Sequence, residues 1–176
     1  MTNNKYLRFS TWAIDIKNPC SPLLIFWIIL SIQMCSALSL DIVKGTWVDA
    51  NSNPQYVKGI NSNEIRWGDP ISGKPALKSG FRFIGAGGQI FSPGEVFLIG
   101  ELTHFNYPVH KAASWARLNI VLDFSEPIVT GGPFTFQFNI DETNNDLPCS
   151  AWQRSSTPCD DKITWKNAAI DQSFDI

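Results

Sequence analysis

Apolar and polar residues alternate along two stretches in the second half of the chain. Between 116 and 124 every even position is apolar, whereas Arg117, Asn119 and Asp123 are polar. Between 134 and 141 phenylalanines and an isoleucine alternate with polar residues in the same way. A period of two places successive side chains on opposite faces of a β-strand. Both stretches are therefore predicted to be half-buried strands of an antiparallel sheet, with the apolar face inward.

The other apolar runs after residue 38 are short and show no helical period. The run 95–99 predicts a central strand, and turn residues such as Gly68-Asp69-Pro70 and Gly131-Gly132-Pro133 separate the runs. Shorter strands are predicted at 42–48, 64–67, 80–84, 162–165 and 173–176. Many short strands without helices indicate an all-β fold, an antiparallel β-sandwich of jelly-roll or Ig-like topology over residues 38–176.

Residues 1–37 have the layout of a secretory signal peptide. A basic flank precedes the apolar run 23–30, and the small residues Cys35 and Ala37 stand just before Leu38. We therefore expect a hydrophobic signal helix that is removed before Leu38. The alternative is an uncleaved membrane anchor, because the basic flank is long for a signal peptide. A spanning helix needs about 20 apolar residues, a length this segment reaches only by including polar positions.

Composition narrows the classes of function. The 16 acidic and 14 basic residues give a formal net charge of −2, which argues against a nucleic-acid partner. Such a partner requires a basic face that neutralises phosphates. The 7 Trp and 12 Phe residues can build a core, and a length of 176 fits one domain after a processed segment.

The number and positions of the cysteines are consistent with export. Cys20 and Cys35 lie in the segment predicted to be removed, which leaves Cys149 and Cys159 as an even pair with 9 residues between them. A zinc site would want four ligands, typically including a close Cys-x-x-Cys pair and nearby histidines. We therefore predict a disulfide between Cys149 and Cys159, formed in an oxidising compartment.

An oxygen-rich segment follows the second alternating stretch. Asp141, Glu142, Asn145 and Asp146 offer carboxylate and amide oxygens that suit calcium, although the residue order of an EF-hand is absent. Such runs also form solvated turns with local hydrogen bonds. Calcium is therefore kept as an alternative, and no cofactor is expected.

The segment Thr103-His104-Phe105-Asn106 is the strongest candidate for a polar site. Pro108 restrains Tyr107 to an extended conformation and removes a backbone donor, so the strand is expected to end here. The side chains of the segment are expected to supply partners for the backbone groups freed at this exit. We predict that His104 is buried and structural. The alternative is a general base or metal ligand, together with His110.

Several segments together resemble one known family. The first part comprises Val57-Lys58-Gly59, the stretch 63–70 with Trp67, Gly68 and Pro70, and the stretch 79–83. The second is Leu102-Thr103-His104-Phe105-Asn106-Tyr107-Pro108-Val109, which contains a Thr-His-x-Asn motif at Thr103, His104 and Asn106. With the loop 142–145 and the segment 149–163, these residues resemble the choice-of-anchor K domain over residues 42–176.

The resemblance implies an exported, β-rich bacterial protein that is attached to the envelope or sorted by a C-terminal signal. It implies no established enzymatic activity. This sequence carries no hydrophobic tail or sorting signal after residue 176, and the domains of the family continue past the strand predicted at 173–176. A shortened chain and a secreted variant whose domain closes early both remain open, and the anchoring mode is not carried over.

The expected function is that of a secreted, non-enzymatic protein of the cell surface or extracellular space. Its expected partners are unidentified components of the cell envelope or extracellular matrix. Contact with a membrane is expected only through an uncleaved N-terminal segment. One alternative is a carbohydrate- or calcium-dependent binding module, with an exposed Trp or Tyr beside the loop 141–146. The other is a secreted hydrolase in which His104 lies near a carboxylate in a cleft.

Overall fold

The structure, a computed structural model, describes residues 4–7, 15–17, 37–143, 149, 159–166 and 173–175, of which 4–7, 15–17, 166 and 173–175 are described by their backbone. One turn of 3₁₀ helix lies at Pro54–Tyr56. The strands are β1 Asn4–Leu7, β2 Asp15–Lys17, β3 Leu38–Ala50, β4 Glu64–Trp67, β5 Asp69–Pro70, β6 Ser79–Gly85, β7 Gln89–Phe91, β8 Gly100–Phe105, β9 Val109–His110, β10 Trp115–Glu126, β11 Ile128–Asp141, β12 Lys162–Lys166 and β13 Ser173–Asp175.

Two antiparallel sheets form most of the described fold. A four-stranded sheet has the order β1-β8-β6-β4, and a five-stranded sheet has the order β12-β11-β10-β3-β7. Two short pairs complete the set, β5 with β9 antiparallel and β2 with β13 parallel. In the described part of the chain there is no α-helix, and no helix is long and apolar enough to cross a bilayer. The predicted all-β, antiparallel architecture is confirmed.

The alternating stretches form the centre of the five-stranded sheet. β10 pairs with β11 on one side and with β3 on the other, and its even-numbered residues from 116 to 124 are buried. The predicted strand 64–67 coincides with β4. The apolar period therefore identifies both the strands and the face that each strand turns toward the core.

The two sheets contribute to one shared core. The ring of Trp47, from β3, stacks on the ring of Phe81, from β6, with 5.3 Å between ring centroids. Phe138, from β11, lies 5.6 Å from the same ring of Phe81. Close approach also depends on Gly45, since a Cβ there would lie 2.1 Å from the ring of Phe83. Aromatic rings from facing strands thus join the sheets.

The prediction of a strand at 95–99 is wrong. The segment does alternate, with Phe97 and Ile99 buried while Val96 and Leu98 are 63% and 39% exposed. Its backbone is not paired with a neighbouring strand: the Gln89 side chain binds Leu98, and the Ile99 carbonyl accepts a hydrogen bond from the backbone N–H of Ala86 at 2.9 Å. The Gln89 amide donates to the carbonyl of Leu98 at 2.6 Å and accepts from the Leu98 N–H at 3.1 Å. An alternating pattern indicates an extended backbone with one buried face, but it does not show that the backbone pairs with another strand. Pairing with a neighbouring strand begins only at Gly100, the first residue of β8.

The apolar part of the predicted signal segment lies outside the described residues, whereas Asn4–Leu7 and Asp15–Lys17 of the same segment form strands β1 and β2. The apolar run 23–30 and the small residue Cys35 belong to the part of the chain that the structure does not describe. Ala37 is exposed, and β3 begins at the next residue, Leu38, which is buried. The signal peptide and the site of its cleavage therefore stay predictions.

Gln89→Glu is expected to lower the free energy of unfolding by about 1–3 kcal/mol. Glutamate keeps an oxygen for the Leu98 N–H but loses the hydrogen bonds donated to the carbonyls of Ala86 and Leu98, each worth about 0.5–1.5 kcal/mol. Urea denaturation measures the difference. Gln55→Glu, at an exposed position of the 3₁₀ turn, is the matched control and should change stability little. Equal effects in the two variants would contradict this account of the segment 95–99.

Candidate functional site

The Thr-His-x-Asn motif lies mostly within a strand. Thr103 and His104 belong to β8, which pairs with β6 on one side and with β1 on the other. Asn106 follows directly after the strand. The expected position at the junction of a strand and a turn therefore applies to Asn106 alone. Because successive side chains of a strand point to opposite faces, those of Thr103 and His104 lie on opposite faces of the four-stranded sheet.

His104 faces the core and meets a buried carboxylate. It is 4% exposed, and its ring lies 5.2 Å from the ring of Phe81, its partner in register. Its Nε2 lies 3.5 Å from Oδ2 of Asp161, whose side chain is fully buried. A carboxylate removed from water needs compensating partners, and the imidazole is one of them.

Asp161 also closes the segment that connects β11 to β12. Its Oδ1 accepts hydrogen bonds from the backbone N–H of Thr143 at 3.0 Å and from the Thr143 hydroxyl at 3.2 Å. Thr143 lies just after β11 ends, and Asp161 lies just before β12 begins. One carboxylate therefore joins the two ends of the connection and attaches them to β8 through His104.

The disulfide lies in the same connection. Cys149 and Cys159 are bonded, with their Cα atoms 5.4 Å apart, so the predicted bridge is confirmed. The buried side chain of Asn106 donates from Nδ2 to the backbone carbonyl of Cys159 at 2.8 Å. The asparagine of the motif thus attaches the disulfide-closed segment to the end of β8.

The backbone at the exit of β8 is satisfied by Ser79 and not by the motif, contrary to expectation. The N–H of Tyr107 donates to Oγ of Ser79 at 3.1 Å, and the Ser79 hydroxyl donates to the carbonyl of Tyr107 at 2.8 Å. Ser79 begins β6, the strand beside β8, and is therefore placed next to the exit. This leaves the side chains of His104 and Asn106 to bind the connection between β11 and β12.

Glu142 is a second carboxyl group of the same region. Burial and the nearby charge of Asp161 raise the pKa of Glu142 to about 8, against opposing interactions with Trp67 and Ser79. Its Oε1 lies 3.5 Å from Oγ of Ser79. At neutral pH the carboxyl group therefore holds a proton, which avoids placing two negative charges side by side in the interior.

Trp67, Gly68 and Pro70, the other residues named in the family resemblance, lie in and between β4 and β5. Trp67 is fully buried and meets Phe81 edge to face at 5.0 Å. Gly68 has a positive φ of 88°, and its carbonyl accepts a hydrogen bond from Nζ of Lys78. Pro70 pairs with Val109 in register. Burial lowers the pKa of Lys78, with a further contribution from Lys58, and Asp69 acts in the opposite direction.

The structure brings five polar side chains together around the end of β8. We call them the motif cluster: Ser79, His104, Asn106, Glu142 and Asp161. The sequence alone indicated His104 and Asn106, and it gave Glu142 another role. Ser79 and Asp161 were missed, although the acidic pair Asp160-Asp161 directly after Cys159 was a usable signal.

The calcium candidates are only partly described. Asp141 is exposed and lies opposite Lys162 in register, whereas Glu142 turns inward to the motif cluster. Asn145 and Asp146 lie outside the described residues. Within the described ranges no group of three or more His, Cys, Asp or Glu is arranged to hold a metal ion.

Chemically, the motif cluster can hold protons and attach backbone segments. A histidine beside a buried carboxylate is also the arrangement that orients a general base. The Ser79 hydroxyl, however, donates its proton to the backbone carbonyl of Tyr107, so it is engaged in structure. His110 lies elsewhere, exposed on β9 and opposite Asp69.

No family model and no curated protein matches this chain.

The stability of the protein is expected to fall as pH rises from about 4.5 to about 8. In the unfolded chain Glu142 ionises near 4.5, while the folded protein keeps the proton until about 8. A raised folded-state pKa gives stability that is complete below the unfolded value and is lost as pH rises through the folded value. The loss is on the order of a few kcal/mol, because one pKa unit corresponds to about 1.4 kcal/mol.

Urea denaturation across this pH window, compared with Glu142→Gln, measures the effect. Glutamine imitates the protonated acid, so this variant should show a flatter profile and higher stability near pH 8. Asp141→Asn, one residue away and exposed, is the control and should keep the wild-type slope. Parallel profiles for wild type and Glu142→Gln would show that Glu142 does not hold the proton.

His104→Ala is expected to lower the free energy of unfolding by about 1–3 kcal/mol, because the buried carboxylate of Asp161 loses a partner. His110→Ala, at an exposed position, should stay within about 0.5 kcal/mol of wild type. Thermal unfolding monitored by circular dichroism distinguishes the two variants. An unchanged melting temperature for His104→Ala, together with the loss of a measurable activity, would favour the catalytic alternative.

Proposed function

We propose that this chain is an exported, non-enzymatic protein of the cell surface or extracellular space. Its described sheets are taken as the two layers of a β-sandwich of jelly-roll or Ig-like topology. Residues 1–37 act as a signal peptide, and the mature protein begins at Leu38. Cleavage there removes β1, so the mature protein keeps β8, β6 and β4 of the four-stranded sheet. The resemblance to the choice-of-anchor K domain supports the same compartment.

The observation that carries the proposal is the disulfide between Cys149 and Cys159. Disulfides persist in exported proteins, whereas cytosolic thiols are kept reduced. This one closes the same segment that Asn106 and Asp161 attach at its end. Cross-linking a loop of this size stabilises a fold by about 2–3 kcal/mol in the chain-entropy account.

The proposed role of the Thr-His-x-Asn motif is to attach this segment to the four-stranded sheet. His104 binds Asp161, and Asn106 binds the backbone of Cys159. The burial of His104 favours this structural role over hydrolysis, because a general base must reach a substrate. A rigid exported scaffold is the function that the geometry supports best.

Expression of the full chain in a bacterial host, followed by fractionation and N-terminal sequencing, tests the proposal. We expect exported protein that begins at Leu38 and contains no titratable thiol before reduction. Ile28→Arg, which interrupts the apolar run 23–30, is the matched control and should retain the protein in the cytoplasm. Intact Met1 on membrane-bound protein would support the anchor alternative. Cytoplasmic wild-type protein with free thiols would overturn export.

A further inference from the structure

The solvent face of the five-stranded sheet carries a row of polar side chains that the motif cluster does not use. Even-numbered residues are buried from 116 to 124 in β10 and from 134 to 140 in β11, so the odd-numbered residues between them point outward. The register places them opposite one another: Trp115 faces Asn139, Arg117 faces Gln137, and Asn119 faces Thr135. We call these six residues the amide row.

Hydrogen bonds within the amide row use its amide oxygens. The Arg117 Nε–H donates to Oε1 of Gln137 at 3.1 Å, and the Gln137 amide donates to Oδ1 of Asn139 at 3.0 Å. The Thr135 hydroxyl donates to Oδ1 of Asn119 at 2.8 Å. An amide group has two donor hydrogens beside its acceptor oxygen. The amide N–H groups of Asn119 and Asn139 are therefore what the row offers to a ligand.

The same contacts hold the row in place. The guanidinium of Arg117 lies 4.4 Å from the centroid of the Trp115 ring, and its Nη1 lies 3.5 Å from Oδ2 of Asp49 on β3. Side chains already ordered lose little conformational freedom when a ligand binds. The row is thus a preorganised strip of donors with an aromatic ring at one end.

Two pairs of opposite charge lie along this face. Arg117 lies opposite Asp49, and Lys162 lies opposite Asp141 at the end of β11. An acidic polymer would require an excess of cations, as nucleic-acid sites do. Donors without net charge are complementary to an uncharged ligand that is rich in oxygen acceptors.

We propose that the amide row binds an uncharged polysaccharide chain. Asn119 and Asn139 donate hydrogen bonds to hydroxyl and ring oxygens of successive sugars, and Trp115 supplies an apolar contact for sugar C–H groups. The site lies on the sheet face opposite the core and is independent of the proposed export and of the motif cluster. It gives an exported scaffold a ligand of defined chemistry.

The test uses the purified full chain and a panel of cellulose, chitin, xylan and starch, with alginate as the acidic comparison. Binding is measured as depletion of the protein from solution. The variants Asn119→Asp and Asn139→Asp keep the oxygens that accept from Thr135 and Gln137 but remove the outward N–H donors. Gln55→Glu, exposed and outside the row, removes an amide and adds the same charge.

We expect retention on at least one uncharged polysaccharide. Each aspartate variant should weaken it about 3- to 10-fold, the equivalent of one hydrogen bond, and Gln55→Glu should leave it unchanged. Wild-type protein that binds none of the four, or binds only alginate, overturns the proposal. So does retention that Gln55→Glu weakens as much as the row variants do. Unchanged melting temperatures in both aspartate variants separate loss of binding from loss of fold, and a failure of export leaves this result unaffected.

Discussion

The contacts of Phe81 are the interaction on which most of the described structure depends. Its ring lies 5.3 Å from Trp47 and 5.6 Å from Phe138, both in the five-stranded sheet. It lies 5.0 Å from Trp67 and 5.2 Å from His104, both in the four-stranded sheet. One fully buried side chain therefore contacts both sheets and the motif. Removing a buried phenylalanine ring typically costs about 3–5 kcal/mol, and here the loss would also release the histidine that binds Asp161.

The motif cluster extends this core to a segment with few apolar residues of its own. The connection between β11 and β12 is attached through polar contacts: Asp161 with His104, Thr143 with Asp161, and the Cys159 carbonyl with Asn106. Burying such groups is favourable only when their partners are supplied, because an unpaired buried polar group costs about 1–3 kcal/mol. The disulfide restricts the unfolded segment, and the polar contacts fix its place on the folded sheet. The disulfide therefore acts on the unfolded state of this segment, and the polar contacts act on its folded state.

Local patterns in the sequence predict the strands well and the cluster poorly. The period of two locates β10 and β11 and their buried faces, because each residue there needs only its own strand to define its side. The same period misleads at 95–99, where the Gln89 side chain and one backbone hydrogen bond take the place of strand pairing. Ser79 and Asp161 meet β8 through pairings far apart in the sequence, and no local pattern reports such a contact. The cysteine pair succeeds because its evidence is a count, which needs no geometry.

The inward and outward residues of the five-stranded sheet are determined by different physical constraints. Packing against Phe81 and its neighbours accounts for the inward residues of β10 and β11. The outward residues bury little apolar surface, and exposed polar pairs of this kind contribute only about 0–1 kcal/mol each to stability. The ordered bonds from Arg117 through Gln137 to Asn139 add little to stability, and they are the arrangement on which the proposed polysaccharide site depends. On the proposal of a polysaccharide site, the inward face determines the fold and the outward face supplies the contacts to the ligand.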